Sequence, residues 1–198
     1  MKDKKNSSIF GEGFNGGAST SHNDGTMLKE YQLWYHILER SYCHKYHARK
    51  PTYLDCTVSE NFKNFAFFKN WCHRQKGFNI KGFSLDKDLL VKGNKVYSEG
   101  TCLFLPIEIN NALTKRQNLR GNYAIGVSFC KTKLVYKAKI SKDKVRVDLG
   151  SFDTEYEAFQ AYKIAKEKHL ADLADRYKSE IDVKAYNALL SYSVEITD

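Results

Sequence analysis

Hydrophobic residues recur at helical spacing along the first half of the chain. Between residues 29 and 46 they line one face of a predicted helix at Tyr31, Trp34, Ile37, Leu38 and Tyr42. Pro51 ends this segment, because proline disrupts a helix interior. The capping-box pattern Thr57-Val-Ser-Glu60 predicts a second helix from Thr57, with an apolar side formed by Phe62, Phe65, Phe68, Trp71 and Cys72.

The middle of the chain has a pattern typical of a β-hairpin. Apolar residues from Phe83 to Val91 predict a strand, Lys92-Gly-Asn-Lys95 predicts a turn, and Val96-Tyr97 predicts the returning strand. Ser98 is a candidate cap for a short helical turn that follows.

The last part of the chain predicts a sheet followed by helices. Three strands are expected over residues 124–130, 134–140 and 144–149, with Gly150 ending the sheet. A second capping box, Thr154-Glu-Tyr-Glu157, opens a long helix to about Lys178, and a final helix is expected near residues 182–192. The fold class is therefore α+β, with a hairpin-helix module followed by a three-stranded antiparallel sheet packed on a long helix.

Composition divides the chain into four segments. Residues 1–27 are rich in Gly, Ser and Asn and predict a flexible arm. Residues 28–113 form the first module, residues 114–120 a basic linker, and residues 121–198 the second module with its C-terminal helix.

Positive charge is concentrated in one short region. The whole chain has a formal net charge of +9. The stretch from Thr114 to Gly150 contains ten basic and two acidic residues, and ten minus two gives +8 for this stretch alone. A basic surface of this kind favours polyanionic partners such as nucleic acid.

Strand alternation sorts this charge onto one face of the predicted sheet. Lys137 and Lys139 alternate with Tyr136, Ala138 and Ile140, so the apolar face is free to pack on the long helix. In the third strand, Lys144, Arg146 and Asp148 likewise alternate with Val145, Val147 and Leu149. The charge pattern therefore predicts contact with DNA or RNA, and the candidate contact residues are Arg116, Arg120, Lys131, Lys133, Lys137, Lys139, Lys144 and Arg146.

The second module resembles a known DNA-binding domain. The runs Gly126-Val127, Tyr136-Lys-Ala-Lys-Ile140, Leu149-Gly-Ser-Phe152 and Glu157-Ala-Phe-Gln-Ala-Tyr162 resemble the ethylene-response-factor-type domain over about residues 121–178. The resemblance implies three antiparallel strands on one helix, with the sheet entering the major groove of double-stranded DNA as the expected partner. Arg146 is the strand residue suited to bidentate contact with guanine, so we expect mainly phosphate contacts.

The first module resembles the metal finger of phage HNH homing endonucleases. The residues that carry this likeness are Leu85-Asp-Lys-Asp-Leu89, Gly93-Asn94 and Tyr97-Ser-Glu-Gly-Thr-Cys102, with upstream support from Tyr31, Trp34, Pro51-Thr-Tyr53, Cys56-Thr-Val58 and Asn70-Trp71. The resemblance implies a base that activates water and ligands for one magnesium or manganese ion. The candidate catalytic residues are Asp86, Lys87 and Asn94, and the candidate metal ligands are Asp86 and Asp88.

This finger departs from the family pattern at two positions. Lys87 stands where such enzymes place the catalytic histidine, and a lysine is protonated near neutral pH. Thr101 stands where a ligand asparagine or histidine is expected. The departures predict a finger that no longer cleaves.

Cysteine and histidine usage gives little support for zinc. Cys43, His44, His47 and Cys56 lie near one another in sequence, but they lack a C-x-x-C pair. No apolar run is long enough to cross a membrane and the start lacks an export signal, so we expect reduced thiols and a cytoplasmic location, in the infected bacterium if the gene is a phage gene.

Three functions remain open from the sequence. The first is a DNA-binding protein with an inactive finger, acting in regulation or counter-defence. The second is an active metal-dependent nickase, and the third is an interaction module whose basic face binds an acidic partner, such as a host protein.

Overall fold

Two compact units make up the chain, Met1–Phe104 and Leu105–Asp198. The computed structural model describes residues 8–115, 122–143 and 145–198. The mixture of helices and strands confirms the α+β class. The unit boundary at residue 104 precedes the predicted linker at residues 114–120, because the helix Ile107–Leu113 belongs to the second unit.

The first unit is built on helices whose apolar faces meet in one core. The predicted first helix is divided at Cys43 into α1 (Lys29–Tyr42) and α2 (His44–Arg49). Trp34 is fully buried, and its indole N–H donates to the carbonyl of Phe62 at 2.7 Å. This bond satisfies the polar end of a large buried ring, as buried tryptophans require.

The second helical segment begins later than its capping box predicted. Thr57–Val58 forms a short strand, β1, whereas Ser59 caps α3 (Glu60–Lys63) and Asn64 caps α4 (Phe65–Arg74). β1 pairs in parallel with β3 (Val96–Tyr97), which lies about forty residues away along the chain. This pairing with a distant strand holds Thr57 in an extended conformation.

The arm predicted to be flexible is folded over residues 8–27. Ile9 and Phe10 pack against the core of the first unit. Phe14 exchanges backbone hydrogen bonds with the α3–α4 junction, donating to Lys63 at 3.0 Å and accepting from Phe65 at 2.9 Å. The packing of Ile9 and Phe10, together with the backbone bonds of Phe14, holds the arm in place despite its Gly- and Ser-rich composition. Residues 1–7 lie outside the described residues.

The predicted hairpin at residues 83–97 does not form, so the HNH-like hairpin-helix module is not confirmed. β2 (Phe83–Asp86) pairs with β4 (Leu103–Pro106), and β3 pairs with β1 in a separate sheet. β2 ends at Asp86 because its carboxylate accepts the backbone N–H groups of Asp88 and Leu89, at 3.0 and 2.8 Å, and so folds the chain into a turn.

The second unit confirms the predicted sheet and long helix. Its strands are β5 (Val127–Cys130), β6 (Val135–Lys142) and β7 (Val145–Phe152), paired antiparallel in that order. The prediction that Gly150 ends the sheet is wrong, because β7 continues to Phe152. The capping box at Thr154 and Glu157 is present and begins α6 (Glu155–Arg176). The chain also forms α5 (Ile107–Leu113) and α7 (Val183–Leu190).

The sheet packs on α6 through a small core. Ile140 of β6 is buried against Phe159 and Tyr162 of α6. Gly126 has a φ of +78°, and a Cβ there would lie 2.0 Å from the ring of Tyr162. Glycine is therefore required at this position, where the chain entering β5 lies against the ring of Tyr162.

Candidate nucleic-acid interface

The strand register brings Lys137 and Lys139 of β6 and Arg146 of β7 onto one face, whereas Lys142 alternates to the other face. Lys139 lies opposite Asp148, and Ser141 lies opposite Arg146, across the β6–β7 pair. Ala138 and Ile140 alternate with them and are buried on the side of α6. The predicted sharing of one face by Lys137, Lys139 and Arg146 therefore agrees with the register.

A bulge on β7 permits this arrangement. The pairing shifts between Ala138 and Lys139, so that Leu149 is the extra residue of β7. Leu149 packs against the core of the second unit, whereas Val145 and Val147 are 64% and 38% exposed. The predicted apolar face of this strand is thus only partly covered by the helix.

The cations of this face differ in their partners. Lys139 pairs with the carboxylate of Asp148 at 3.7 Å. The backbone N–H of Gly150 is the main cause that lowers the pKa of Asp148, and Lys139 contributes to it. Over residues 8–115, 122–143 and 145–198, no carboxylate lies within salt-bridge distance of Lys137 or Arg146. These two cations are therefore available to an external anion.

The turn between β5 and β6 adds two exposed lysines. Lys131 and Lys133 both lie in this turn, next to the exposed Leu134. Arg116, Arg120 and Lys144 lie outside the described residues. Lys115, which belongs to the same basic stretch, instead donates to the carboxylate of Asp198 at 2.7 Å.

The sequence analysis missed two neutral members of the same face. Ser128 and Ser151 flank Lys137, one on each neighbouring strand. Serine hydroxyl groups are common donors to phosphate oxygens. Only the strand register identifies these two serines as part of the face, because the charge pattern of the sequence contains no signal for neutral side chains.

The candidate finger places its polar side chains in contact with one another. Lys87 is buried, and its ammonium donates to the carboxylate of Asp88 at 2.5 Å and to the carbonyl of Asn94 at 2.8 Å. Its ammonium also lies 5.6 Å from the ring centre of Tyr97. The predicted base thus acts as a donor within the fold of the first unit.

Asn94 and Thr101 are similarly engaged. The amide of Asn94 donates to the carbonyls of Lys87 and Val96, both at 2.7 Å, and its oxygen accepts the N–H of Val96 at 3.0 Å. The hydroxyl of Thr101 donates to Val96 at 2.8 Å. These bonds organise the loop between β2 and β3.

Asp86 is the remaining candidate ligand. Burial raises the pKa of its carboxyl group, against the two backbone N–H groups that it accepts. In the part of the chain that the structure describes, no group of three or more His, Cys, Asp or Glu side chains is arranged to hold a metal ion. The ring of His47, one of the residues considered for zinc, bonds the carbonyl of Arg40 at 2.8 Å.

Comparisons with known proteins do not identify the function of either site. No protein family model, no curated protein and no solved structure matches this chain. The likenesses to the ethylene-response-factor domain and to the HNH finger therefore remain predictions from the residue pattern. Among the described helices, none is both long and apolar enough to cross a membrane.

Proposed function

We propose that the chain binds double-stranded DNA through the outer face of the three-stranded sheet. The observation that carries this proposal is the register that aligns Lys137, Lys139 and Arg146 opposite the helix-packed face. Phosphate oxygens would accept from these cations, and the hydroxyl groups of Ser128 and Ser151 would add neutral donors. Release of counterions from the DNA would supply much of the binding free energy.

The positions of the cations favour phosphate contacts over base contacts. Two of the three strand cations are lysines, and Arg146 is the only described strand residue on this face suited to bidentate guanine recognition. The exposed turn lysines, Lys131 and Lys133, would extend the contact beyond the strands. We therefore expect a large electrostatic, sequence-independent part in the affinity.

The test is a triple substitution of Lys137, Lys139 and Arg146 by alanine. At about 1 kcal/mol for each lost contact, affinity for a duplex should fall roughly 100-fold at moderate salt. The slope of log K against log salt should become shallower by about 0.9 for each lost phosphate contact. Fluorescence anisotropy with a labelled duplex, repeated over a salt series, measures both quantities.

The matched control removes the same charge elsewhere. Lys50, Lys76 and Lys81 are exposed lysines of the first unit, and their substitution by alanine also removes three positive charges. We expect this control to keep nearly native affinity and salt slope. If the sheet variant is folded and binds like the control, the sheet is not the DNA contact. If the native protein shows no salt-dependent duplex binding, an acidic protein partner becomes the better proposal.

A further inference from the structure

A cavity of about 860 Å³ lies within the second unit, between α5, α6 and the edge of β6. This volume falls in the range of small-molecule binding sites, about 300–1,000 Å³. Its apolar wall is formed by Ile107, Ala112, Ile125, Ile140 and Tyr162. These residues offer a surface for the apolar or aromatic part of a small molecule.

Lys166 of α6 lines this cavity without an anionic partner. Its ammonium donates to the carbonyl of Ala112, and an ammonium has three donors, so two remain for another group. Within the described ranges, no carboxylate forms a salt bridge with Lys166. Burial lowers the pKa of Lys166 to about 8, with no opposing contribution from a negative charge.

His169 lies one turn further along α6 and lines the same cavity. Residues three apart on a helix share a face, which brings the two side chains together. The residue is 5% exposed, and no hydrogen bond of its ring is found among the described residues. Burial lowers the pKa of His169, and the positive charge of Lys166 lowers it further.

The other charged residues of the cavity wall already have partners. Glu108 accepts from Arg176 and from the hydroxyl of Tyr177, both at 2.7 Å. Asp143 lies 3.7 Å from Arg176. Lys115 and Lys139 pair with Asp198 and Asp148. Lys166 is therefore the cation of the wall that has no carboxylate partner among the described residues, and His169 beside it offers a ring N–H.

We propose that this cavity binds a small organic anion, with its carboxylate, sulfonate or phosphate group held by Lys166 and His169. The apolar or aromatic body of the ligand would lie against Ile125, Ile140 and Tyr162. A buried ammonium without a counter-ion is unfavourable, and an anion in contact with it would remove that cost. Lys139 of the basic outer face also borders this cavity, but Lys137 and Arg146 do not. The proposed anion site therefore does not depend on DNA binding.

The test uses 1-anilinonaphthalene-8-sulfonate, an aromatic sulfonate whose fluorescence rises in an apolar site. We expect saturable binding of one probe to the native chain, and at least tenfold weaker binding to Lys166→Met. Lys168→Met is the matched control, because Lys168 is an exposed lysine of the same helix. This control should bind like the native chain. Thermal melting of each variant checks that it is folded.

Two further variants distinguish the cavity from other surfaces. Ile125→Trp should weaken probe binding by filling the apolar wall, even if Lys166→Met proves unstable. The double variant Lys137→Ala and Arg146→Ala should bind the probe like the native chain, because both residues lie on the outer face of the sheet. Benzoate should compete at concentrations where inorganic phosphate does not, since phosphate lacks an apolar body.

The proposal is overturned by any of three results. The first is that the native chain binds no probe. The second is that folded Lys166→Met and Ile125→Trp both bind the probe with native affinity. The third is that the double variant on the outer face abolishes probe binding. If inorganic phosphate displaces the probe and benzoate does not, the cavity does not bind an organic anion, which would also overturn the proposal.

Discussion

The loop after β2 in the first unit and the sheet of the second unit hold their charges in opposite ways. In the loop, Lys87 is buried and makes hydrogen bonds to the carboxylate of Asp88 and the carbonyl of Asn94. On the sheet, Lys137 and Arg146 lie on the outer face, and no carboxylate of the described residues is within salt-bridge distance of either. The first arrangement stabilises a fold, whereas the second is suited to binding a polyanion.

This difference shows why residue type is a poor guide to chemistry. Asp86, Lys87 and Asn94 are residues that a nuclease could use, and they do lie near one another. Each of them, however, bonds to the backbone or side chains of its own loop. A charged side chain is available for function only when its own fold leaves its donors or acceptors unused.

The largest effect on stability is expected from Lys87→Ala. This change leaves the carbonyl of Asn94 without its donor and removes the ion pair with Asp88. We expect the free energy of unfolding to fall by about 3–4 kcal/mol, because a buried carbonyl loses a charged donor and the buried carbon chain of Lys87 leaves a void. The broken ion pair adds little, since the side chain of Asp88 is 58% exposed. Urea denaturation followed by circular dichroism measures this loss.

Lys81→Ala provides the comparison for that experiment, because Lys81 is an exposed lysine that precedes β2. Its substitution should change the free energy of unfolding by less than about 0.5 kcal/mol. Equal stability of the two variants would mean that Lys87 is not held as described, and the contrast with the sheet would be lost.

A smaller loss is expected from Gly126→Ala, which tests whether the basic face rests on a rigid support. The new methyl group would clash with the ring of Tyr162. In addition, the backbone φ of +78° at residue 126 is unfavourable for any residue that has a side chain. We expect a loss of about 2–3 kcal/mol. Gly82→Ala has a similar φ of +84° with nothing within 4 Å, so it should cost only about 1 kcal/mol. Equal losses of stability in the Gly126→Ala and Gly82→Ala variants would indicate that α6 shifts to accommodate the methyl group at little cost.

Lys166 should make the stability of the second unit depend on alkaline pH. Its pKa is about 8 in the folded chain against 10.5 ordinarily, so the unfolded chain binds the proton more tightly. Stability should therefore increase as pH rises from about 8 to 10.5, by about 2 kcal/mol. Lys166→Met should abolish this rise and be more stable than the native chain at pH 7.

Thermal melting at several pH values checks this prediction. Lys168→Met should keep the rise, since Lys168 is exposed. A rise of the same size in both variants would assign it to other groups and would weaken the case for an unbalanced ammonium in the second unit.

Signals between near neighbours in sequence predicted most of the second unit. The capping box at Thr154 and Glu157 located the start of α6, and strand alternation located the buried Ala138 and Ile140. Both signals arise within a few residues and need no knowledge of distant partners. They also sorted Lys137, Lys139 and Arg146 onto one face, apart from the bulge at Leu149.

Contacts between distant residues account for what the sequence did not predict. Thr57 carries a capping signal, but its pairing with Val96 makes it part of a strand. Gly and Ser dominate the arm, yet Ile9 and Phe10 anchor it to the core. The cavity could not be predicted either, because Lys166 has the spacing of an ordinary surface lysine until α5 covers it.

The smallest effect is expected on DNA cleavage, because we expect the native chain to have no nuclease activity that a substitution could remove. Hydrolysis needs a proton acceptor and metal ligands, but Lys87 is a donor and Asp86 accepts two backbone N–H groups. We therefore expect no nicking of supercoiled plasmid with magnesium or manganese at neutral pH, and no difference between the native chain and Asp86→Ala. Metal-dependent nicking that disappears in Asp86→Ala would make the loop an active site and remove the contrast between the two units.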